Sequence, residues 1–587
     1  MTQPDSVNGP WGMVPEAFRE RLSGLLALGE SRLGSSNLMA QIDPMSLLPA
    51  LARTGWSVAK RPDRLASTIA QTATTTLQAP TAAMVRAAGG TSAYAPARPR
   101  DRRFDDPAWQ DNAAYWLLRE SYQAWQDAAL QTVRQTDTTA GTQRKTEFAV
   151  QLMLDALAPT NFALTNPAVI KRAFETGGLS LVRGLRNLTR DLASNAGAPR
   201  QVATGVHTVG KNLAATPGRV VFRNDLMELI QYAPSTDQTH AIPLLFSPPW
   251  INKYYVMDLA PGRSLAEWAI GHGHTVFMIS YRNPDESMRE VRMDDYLLSG
   301  PIEALEVITD ITGSEKINLL GLCLGGTLTM ASLAYLDAVG IDKINTATFL
   351  NTLVDFSEPG LLGVFTDEVT VRRLERSMKR TGFLPAADMR RSFDLLRTND
   401  LIWNYAVSSW LMGEEPPAFD LLTWNADSTR MPADMHAFYL RSCYLENQLA
   451  RGEMELAGQR LDLSQVDQDL YFLAAEQDHI APWRTSYKGA LLPAGEVRFV
   501  LSNSGHIAGI VNPPNPKSVH RVLPGSEPLP ADPEEWLSSA QTRPTTWWED
   551  WSEWIATRAG ALGTPPRMGS EKHRPIAAAP GSYVLDR

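Results

Sequence analysis

The chain contains two cysteines, Cys323 and Cys443, and the first stands in a setting that favours chemistry. Cys323 lies in Gly-Leu-Cys-Leu-Gly-Gly at 321–326, directly after the apolar run Ile317–Leu322. A buried strand, a sharp turn flanked by glycines and the start of a helix form a nucleophile elbow, here with Cys in the Ser position. The positive end of the helix dipole favours a thiolate there. The motif alone also fits a small cysteine buried in a tight turn.

Partners for a nucleophile follow two later apolar runs. Leu470–Ala475 precedes Asp478, and Val497–Leu501 precedes Ser-Asn-Ser-Gly-His, which ends at His506. Both side chains fall at the C-terminal ends of predicted strands, where α/β proteins build their sites. The chain order of nucleophile, acid and histidine is that of the α/β-hydrolase fold. We therefore predict a triad of Cys323 as nucleophile, His506 as base and Asp478 as the residue that orients the base.

Two other residues compete for these roles. Glu476 lies one strand alternation before Asp478 and remains an alternative acid. His479 directly follows Asp478, and adjacent residues at a strand end point in different directions, so it is the weaker candidate for the base.

An acyl-transfer site also needs donors for the oxyanion. We expect these to be the backbone N–H of Leu324, just after the nucleophile, and one N–H from a loop after an early strand. The run Ile-Pro-Leu-Leu-Phe-Ser-Pro-Pro-Trp-Ile-Asn, starting at 242, supplies that loop, and Ile251 is its candidate donor. The paired prolines are equally compatible with a rigid exit from a strand.

The choice of cysteine has a chemical consequence. A serine would form an oxyester, which suits hydrolysis, whereas a thiolate that attacks a thioester exchanges one thioester for another and keeps the acyl group activated. Transfer to an alcohol then remains downhill. The residues indicate acyl transfer from a thioester such as an acyl-CoA, with His506 as the general base and Asp478 holding its tautomer.

The elements that must position these residues follow an alternating pattern of strands and helices. This alternation predicts a mostly parallel sheet covered by helices on both faces. The predicted strands are Val220–Phe222, Ile242–Phe246, Thr275–Ser280, Ile317–Leu322, Ala347–Leu353, Leu470–Ala475 and Val497–Leu501.

The sequence predicts three regions. Residues 1–100 have the pattern of polar helices and loops and predict a weakly structured N-terminal region. Residues 101–205 predict a helical domain, with an aromatic-rich helix from Pro107 whose stripe fits either core packing or a partner-binding face. Residues 206–587 predict the α/β-hydrolase domain, interrupted at about 358–462 by a helical cap or lid that is too long to be a simple connection.

Composition excludes several other classes of protein. Lys and Arg total 55 against 64 Asp and Glu, a net charge of −9 without a basic stripe, so we expect no nucleic-acid partner. We read no signal peptide and no transmembrane segment. Two cysteines form no disulfide framework and, with nine scattered histidines, no zinc-ligand spacing, so we expect a cytoplasmic protein with reduced thiols and no metal.

Several motifs together resemble the polyhydroxyalkanoate synthases. The resemblance runs from about Asp101 to the C-terminal Pro-Gly-Ser-Tyr-Val, and the Trp-Trp-Glu-Asp-Trp segment at 547–551 is similar to the class I, single-subunit type. The other matching segments are Gly321-Leu-Cys-Leu-Gly-Gly, Pro248-Pro-Trp-Ile-Asn-Lys-Tyr-Tyr, Asn399-Asp-Leu-Ile-Trp-Asn-Tyr, Phe419-Asp-Leu-Leu-Thr-Trp-Asn, Asp478-His-Ile-Ala-Pro-Trp and Ser504-Gly-His-Ile-Ala-Gly.

The resemblance implies a function in more detail. It implies polymerisation of (R)-3-hydroxyacyl-CoA, with short-chain 3-hydroxybutyryl-CoA expected, into a storage polyester with release of CoA and without a cofactor. It implies Cys323 as the acylated nucleophile, His506 as base and Asp478 as the catalytic aspartate. It further implies a homodimer associated with cytoplasmic polyester granules.

Two other functions fit parts of the same sequence. A cysteine-dependent thioesterase or depolymerase would use the same triad with water as the acceptor. A granule-coating structural protein would retain the elbow without using it.

Overall fold

The computed structural model of the chain describes residues 44–88, 98–525 and 528–587. The described chain forms two compact units: the residues up to Arg200 with Arg397–Pro416, and Gln201–Leu396 with Pro417–Arg587. The centre of the predicted insertion at 358–462 therefore belongs to the first unit, and its two flanks belong to the second. Within the described ranges, no helix is both long and apolar enough to cross a bilayer.

The first unit is built from α-helices. Two of them, α1 and α2, lie in the region 1–100, whose remaining parts at 1–43 and 89–97 fall outside the described residues. In chain order the helices are α1 (Pro44–Ala59), α2 (Pro62–Ala87), α3 (Ala108–Asp111), α4 (Ala113–Arg134), α5 (Ala140–Ala156), α6 (Pro167–Glu175) and α7 (Leu179–Ser194).

The aromatic stripe predicted from Pro107 onward spans α3 and α4. Asn112 separates the two helices, since its side chain caps α4 by accepting the N–H groups of Ala114 and Tyr115. Trp109 and Trp116 are buried, whereas Trp125 is 63% exposed. The first part of the stripe is thus core packing.

The segment 397–416 docks on α7 within the same unit. The indole N–H of Trp410 donates to Asp191 at 2.8 Å, and the Asn187 side chain donates to the Ser409 carbonyl at 3.2 Å. A side chain at Gly184 would collide with the Trp410 carbonyl, so the glycine permits this close approach.

The second unit is organised around an eleven-stranded sheet. Its strand order is β15-β14-β13-β12-β7-β6-β4-β5-β2-β1-β17, with parallel pairing from β5 to β13 and antiparallel pairing at both edges. The strands are β1 (Gly218–Arg223), β2 (Met227–Tyr232), β3 (Thr239–His240), β4 (Leu244–Ser247), β5 (Val276–Tyr281), β6 (Ile317–Leu322), β7 (Ile344–Leu350), β8 (Phe383–Leu384), β9 (Met431–Pro432), β10 (Glu455–Leu456), β11 (Gln459–Arg460), β12 (Asp469–Ala475), β13 (Val497–Ser502), β14 (His520–Val522), β15 (Gln541–Arg543), β16 (Leu562–Gly563) and β17 (Ala577–Ala578).

Helices connect these strands and cover the sheet. Because side chains alternate along a strand, Ile317 and Leu319 of β6 join one buried cluster, and Leu320 and Leu322 join a second on the other face. The helices are α8 (Leu265–Gly271), α9 (Met293–Leu297), α10 (Glu303–Thr312), α11 (Leu324–Ala338), α12 (Glu368–Thr381), α13 (Ala386–Leu396), α14 (Asp420–Ala426), α15 (Ala433–Tyr439), α16 (Trp483–Ala490), α17 (Pro533–Ser539) and α18 (Trp547–Ala556).

Each of the seven predicted strands overlaps a strand of this sheet. The largest discrepancies are at the two ends of β7, which begins at Ile344 and not at Ala347, and stops at Leu350 and not at Leu353, where Asn351 takes a positive φ of 44°. The predicted α/β class with a mostly parallel sheet is confirmed.

Candidate active site

Cys323 occupies the turn between β6 and α11. Its backbone has φ 52° and ψ −116°, outside the ordinary regions for a residue with a side chain. Its N–H donates to the Leu350 carbonyl of β7 at 2.8 Å. The strained backbone is the geometry of a nucleophile elbow, which exposes the side chain at the end of the sheet.

The glycines of the elbow are needed for close approach. A Cβ on Gly321 would lie 2.5 Å from the Cα of Gly326, and one on Gly325 would collide with the carbonyl oxygen of Ser247 at the end of β4. Real side chains do not tolerate these distances. The N-terminus of α11 therefore lies directly against the loop that follows β4.

Asp478 and His506 form a buried pair. The His506 Nδ1 lies 2.6 Å from Asp478 Oδ2. The other carboxylate oxygen, Oδ1, accepts the N–H groups of Ile480 at 2.8 Å and Ala481 at 2.9 Å. Because an ionised carboxylate can only accept, Nδ1 carries the proton, and Nε2 is left to act toward Cys323.

The pKa of His506 is raised from its ordinary value to about 10. Burial lowers this pKa, but the charges of Asp478 and Cys323, and hydrogen bonds with both side chains, outweigh the burial. The Cys323 side chain is therefore close enough to the imidazole to affect its charge. The structure brings the three predicted triad residues together.

The two alternative residues, Glu476 and His479, do not form the buried acid–imidazole pair. Glu476 accepts a hydrogen bond from Arg521 at 2.9 Å, and its side chain is 42% exposed. The imidazole that binds Asp478 belongs to His506 and not to the adjacent His479.

The two predicted oxyanion donors are unoccupied. Within the described ranges, the N–H groups of Ile251 and Leu324 donate to no acceptor. Leu324 is the first residue of α11, so its N–H has no partner inside the helix. Leu324 lies next to the contact between Gly325 and Ser247, at the start of α11.

The His506 loop is held by two side chains that sequence reasoning did not assign to it. The indole N–H groups of Trp547 and Trp548, in α18, donate to the carbonyls of Gly509 and Ile510, each at 2.8 Å. The sequence identified this Trp-rich segment only as a family motif.

Asn351, at the end of β7, also holds the loop. Its side chain donates to the His506 carbonyl, and its own N–H donates to the Leu473 carbonyl at 2.8 Å. A polar residue at a strand end was the available signal for this role.

Two tyrosines lie near the sulfur, the buried Tyr439 and the partly buried Tyr444. The Tyr439 hydroxyl donates to that of Tyr444 at 3.3 Å. Burial raises the pKa of Tyr444, and the charge of nearby Cys323 raises it further, so both phenols stay protonated. They belong to the insertion, whose sequence carries no motif that would have identified them.

The described ranges contain no cluster of three or more His, Cys, Asp or Glu side chains placed to hold a metal ion.

Comparison with known proteins adds independent findings. A family model described as the N-terminus of poly-beta-hydroxybutyrate polymerase (PhaC) matches residues 100–269. A second model, for the alpha/beta hydrolase fold, matches residues 240–513. Together the two models extend over the helical region and most of the sheet.

Curated relatives match over most of their lengths. Poly(3-hydroxyalkanoate) polymerase of Methylorubrum extorquens is 43% identical over 492 residues, covering 83% of this chain and 81% of that protein. Poly(3-hydroxyalkanoate) polymerase 1 of Ectopseudomonas oleovorans is 42% identical over 501 residues, with 85% and 88% coverage. The PhaC subunit of the Cupriavidus necator polymerase is 41% identical over 492 residues, with 82% and 83% coverage.

Proposed function

Since this chain belongs to the poly(3-hydroxyalkanoate) polymerase family, we propose that it polymerises (R)-3-hydroxyacyl-CoA through a thioester on Cys323. The predicted resemblance to this family and the α/β-hydrolase fold are confirmed. The short-chain 3-hydroxybutyryl-CoA is the proposed monomer. The observation that carries the proposal is a cysteine, in place of serine, at an elbow next to a buried His506–Asp478 pair.

The first half-reaction acylates the enzyme. His506 Nε2 takes the proton of Cys323, and the sulfur attacks the thioester carbonyl. The N–H groups of Leu324 and Ile251 bind the oxyanion. The C–S bond to CoA then breaks, and the CoA sulfur leaves with the proton held by His506. One thioester has replaced another, so the step is close to thermoneutral.

The second half-reaction extends the chain. The hydroxyl of another hydroxyacyl group gives its proton to His506 and attacks the acyl-Cys323 carbonyl, so that an ester forms and the thiol is restored. Acylation removes the negative charge of Cys323, which is one cause of the raised pKa of His506. The imidazole is thus easier to deprotonate in the acyl-enzyme, which suits its role as base in this step.

The proposed reaction requires no cofactor, because the CoA thioester supplies the activation. From family membership we also propose association with cytoplasmic polyester granules and a homodimer as the active form. Light scattering of the purified protein with and without substrate measures the oligomeric state, and a monomer at full turnover would contradict the dimer.

The experiment measures two products from (R)-3-hydroxybutyryl-CoA. We expect CoA release and polyester formation in step, with short-chain substrates favoured over medium-chain ones. CoA release with free hydroxy acid and no polymer would instead support a thioesterase.

The two cysteines provide a matched pair of variants for this assay. Cys323→Ala should abolish both products. Cys443→Ala should retain them, because Cys443 is buried and burial raises the pKa of its thiol to about 12. A Cys323→Ala variant that still makes polymer would contradict the proposal.

A further inference from the structure

The loop after β4 is tied to the insertion by one buried hydroxyl. Thr429 is 5% exposed. Its Oγ1 accepts the N–H of Asn252 at 2.8 Å and donates to the carbonyl of Trp250 at 3.2 Å. The two bonds span Ile251, the residue whose N–H is the second oxyanion donor in the proposed function.

The bond to the Trp250 carbonyl sets the direction of the Ile251 N–H. That carbonyl and that N–H belong to the same peptide unit, and the only cis peptide among the described residues is Ala579–Pro580. In a planar trans peptide the C=O and N–H point in opposite directions. A carbonyl held toward Thr429 therefore turns the Ile251 N–H away from Thr429.

The same hydroxyl also holds the residue that follows Ile251. Asn252 has a φ of 65°, a conformation that costs free energy outside glycine. The bond from its N–H to Thr429 holds it there. Without Thr429, the Trp250 carbonyl would lose the hydrogen bond that fixes its direction, and rotation of the Trp250–Ile251 peptide would replace the N–H of the oxyanion hole with a carbonyl.

We propose that Thr429 is a positioning residue that orients the Ile251 N–H for oxyanion binding. The proposal rests on the proposed function only in taking that N–H as an oxyanion donor. Thr429 does not touch the reacting atoms. It makes the oxyanion hole dependent on a segment of the insertion.

That segment is fixed by further contacts on either side of Thr429. The Trp424 indole donates to the Lys253 carbonyl at 2.7 Å. Asp427 pairs with the Lys253 ammonium at 3.0 Å and accepts the Tyr255 hydroxyl at 3.0 Å. The Thr429 hydroxyl is therefore preorganised relative to the loop it holds.

The test uses Thr429→Val, which keeps the shape of the side chain and removes the hydroxyl. We expect kcat for CoA release to fall roughly 10- to 100-fold with KM little changed, somewhat less than deletion of an oxyanion donor. Thr429→Ser should restore the rate to within a few-fold. Thr423→Val is the matched control, since the Thr423 hydroxyl contacts His207 away from the loop, and it should behave as wild type.

A second readout separates orientation from general damage. Alkylation of Cys323 by iodoacetamide needs the thiolate but forms no oxyanion, so Thr429→Val should react at the wild-type rate. Equal loss of alkylation and acylation, an unchanged kcat, or a rise in KM alone would overturn the proposal. If the valine variant does not fold, Thr429→Ala is measured with the same criteria.

Failure of the proposed function is recognised separately. CoA release reports on the oxyanion hole whether the acceptor is a hydroxyl or water. A wild-type enzyme that only hydrolyses its substrate would overturn polymerisation and leave the test of Thr429 intact.

Discussion

The base and the oxyanion loop are held in different ways. His506 lies between elements of the sheet, with Asp478 after β12, Asn351 after β7 and two indoles of α18 on its loop. Ile251 lies on a loop whose backbone bonds to Thr429 in the insertion. The proposed proton-transfer residues are therefore held by elements of the sheet, whereas the proposed oxyanion donor Ile251 depends on the correct placement of a segment of the insertion.

The largest loss of kcat should come from a change in the buried His506–Asp478 pair. In Asp478→Asn the amide can present its NH₂ to Nδ1, which forces the wrong tautomer on His506, and we expect kcat to fall by about 10⁴-fold. The side-chain oxygen can still accept the Ile480 and Ala481 N–H groups, so the fold should persist. Steady-state CoA release and circular dichroism measure the two quantities.

Glu476→Gln serves as the control for this variant. Glu476 pairs with Arg521 at a partly exposed position, and ion pairs at the surface contribute little to the free energy of unfolding. Its activity should stay close to wild type. A comparable loss in both variants would mean that the acid has been wrongly assigned.

An intermediate effect concerns the charge balance around His506. The Cys323 charge is one cause of the raised pKa of His506, so Cys323→Ala should lower that pKa from about 10. Titration of ¹⁵N-labelled histidine, assigned with His506→Ala, measures the change. An identical pKa in wild type and variant would show that the sulfur lies too far from the imidazole to interact with it.

The same shift affects stability. A raised folded-state pKa stabilises the protein fully below the unfolded value of about 6.5, and this contribution is lost as the pH rises through about 10. Denaturant unfolding across this window should show a smaller loss in Cys323→Ala than in wild type. An equal loss in both proteins would contradict the coupling.

The smallest effect should come from the support of the loop. Trp547→Phe leaves the buried Gly509 carbonyl with only the longer hydrogen bond from Ser502 at 3.4 Å, at a cost of about 1–3 kcal/mol in the free energy of unfolding, and it should lower kcat by a few-fold. Trp551→Phe is matched, because that indole donates to Thr348 on β7 at 3.0 Å. It should lose similar stability and retain its kcat. Loss of activity in both variants would show that α18 acts only through stability.

The sequence predicts the triad residues better than the support of the Ile251 loop, because that support comes from a residue far away in the chain. Cys323, Asp478 and His506 each follow an apolar run, so strand patterns alone place them at one edge of the sheet. The hydroxyl of Thr429 contacts Asn252 and Trp250, which lie 177 and 179 residues earlier in the chain. A single threonine in a stretch without periodicity gives no such signal.

Buried polar residues also make a strand hard to recognise from its hydrophobic pattern. The strand β2 was not predicted because Glu228 and Gln231 interrupt its apolar run. Both are buried. Arg223 binds Glu228 from the adjacent β1, and the other partners are distant: Glu228 accepts the N–H groups of Ser582 and Tyr583, and Gln231 binds the chain near Gly569. Those partners come from the C-terminal tail, which no local pattern links to β2.

The central claim is that the acyl group passes through Cys323, and mass spectrometry tests it most directly. The enzyme is mixed with (R)-3-hydroxybutyryl-CoA, quenched in acid within the first turnovers and digested with a protease. The account predicts a hydroxybutyryl adduct on the peptide that contains Cys323, which hydroxylamine removes, and none on the peptide that contains Cys443. Continued polymer formation with Cys323 unmodified throughout would contradict it.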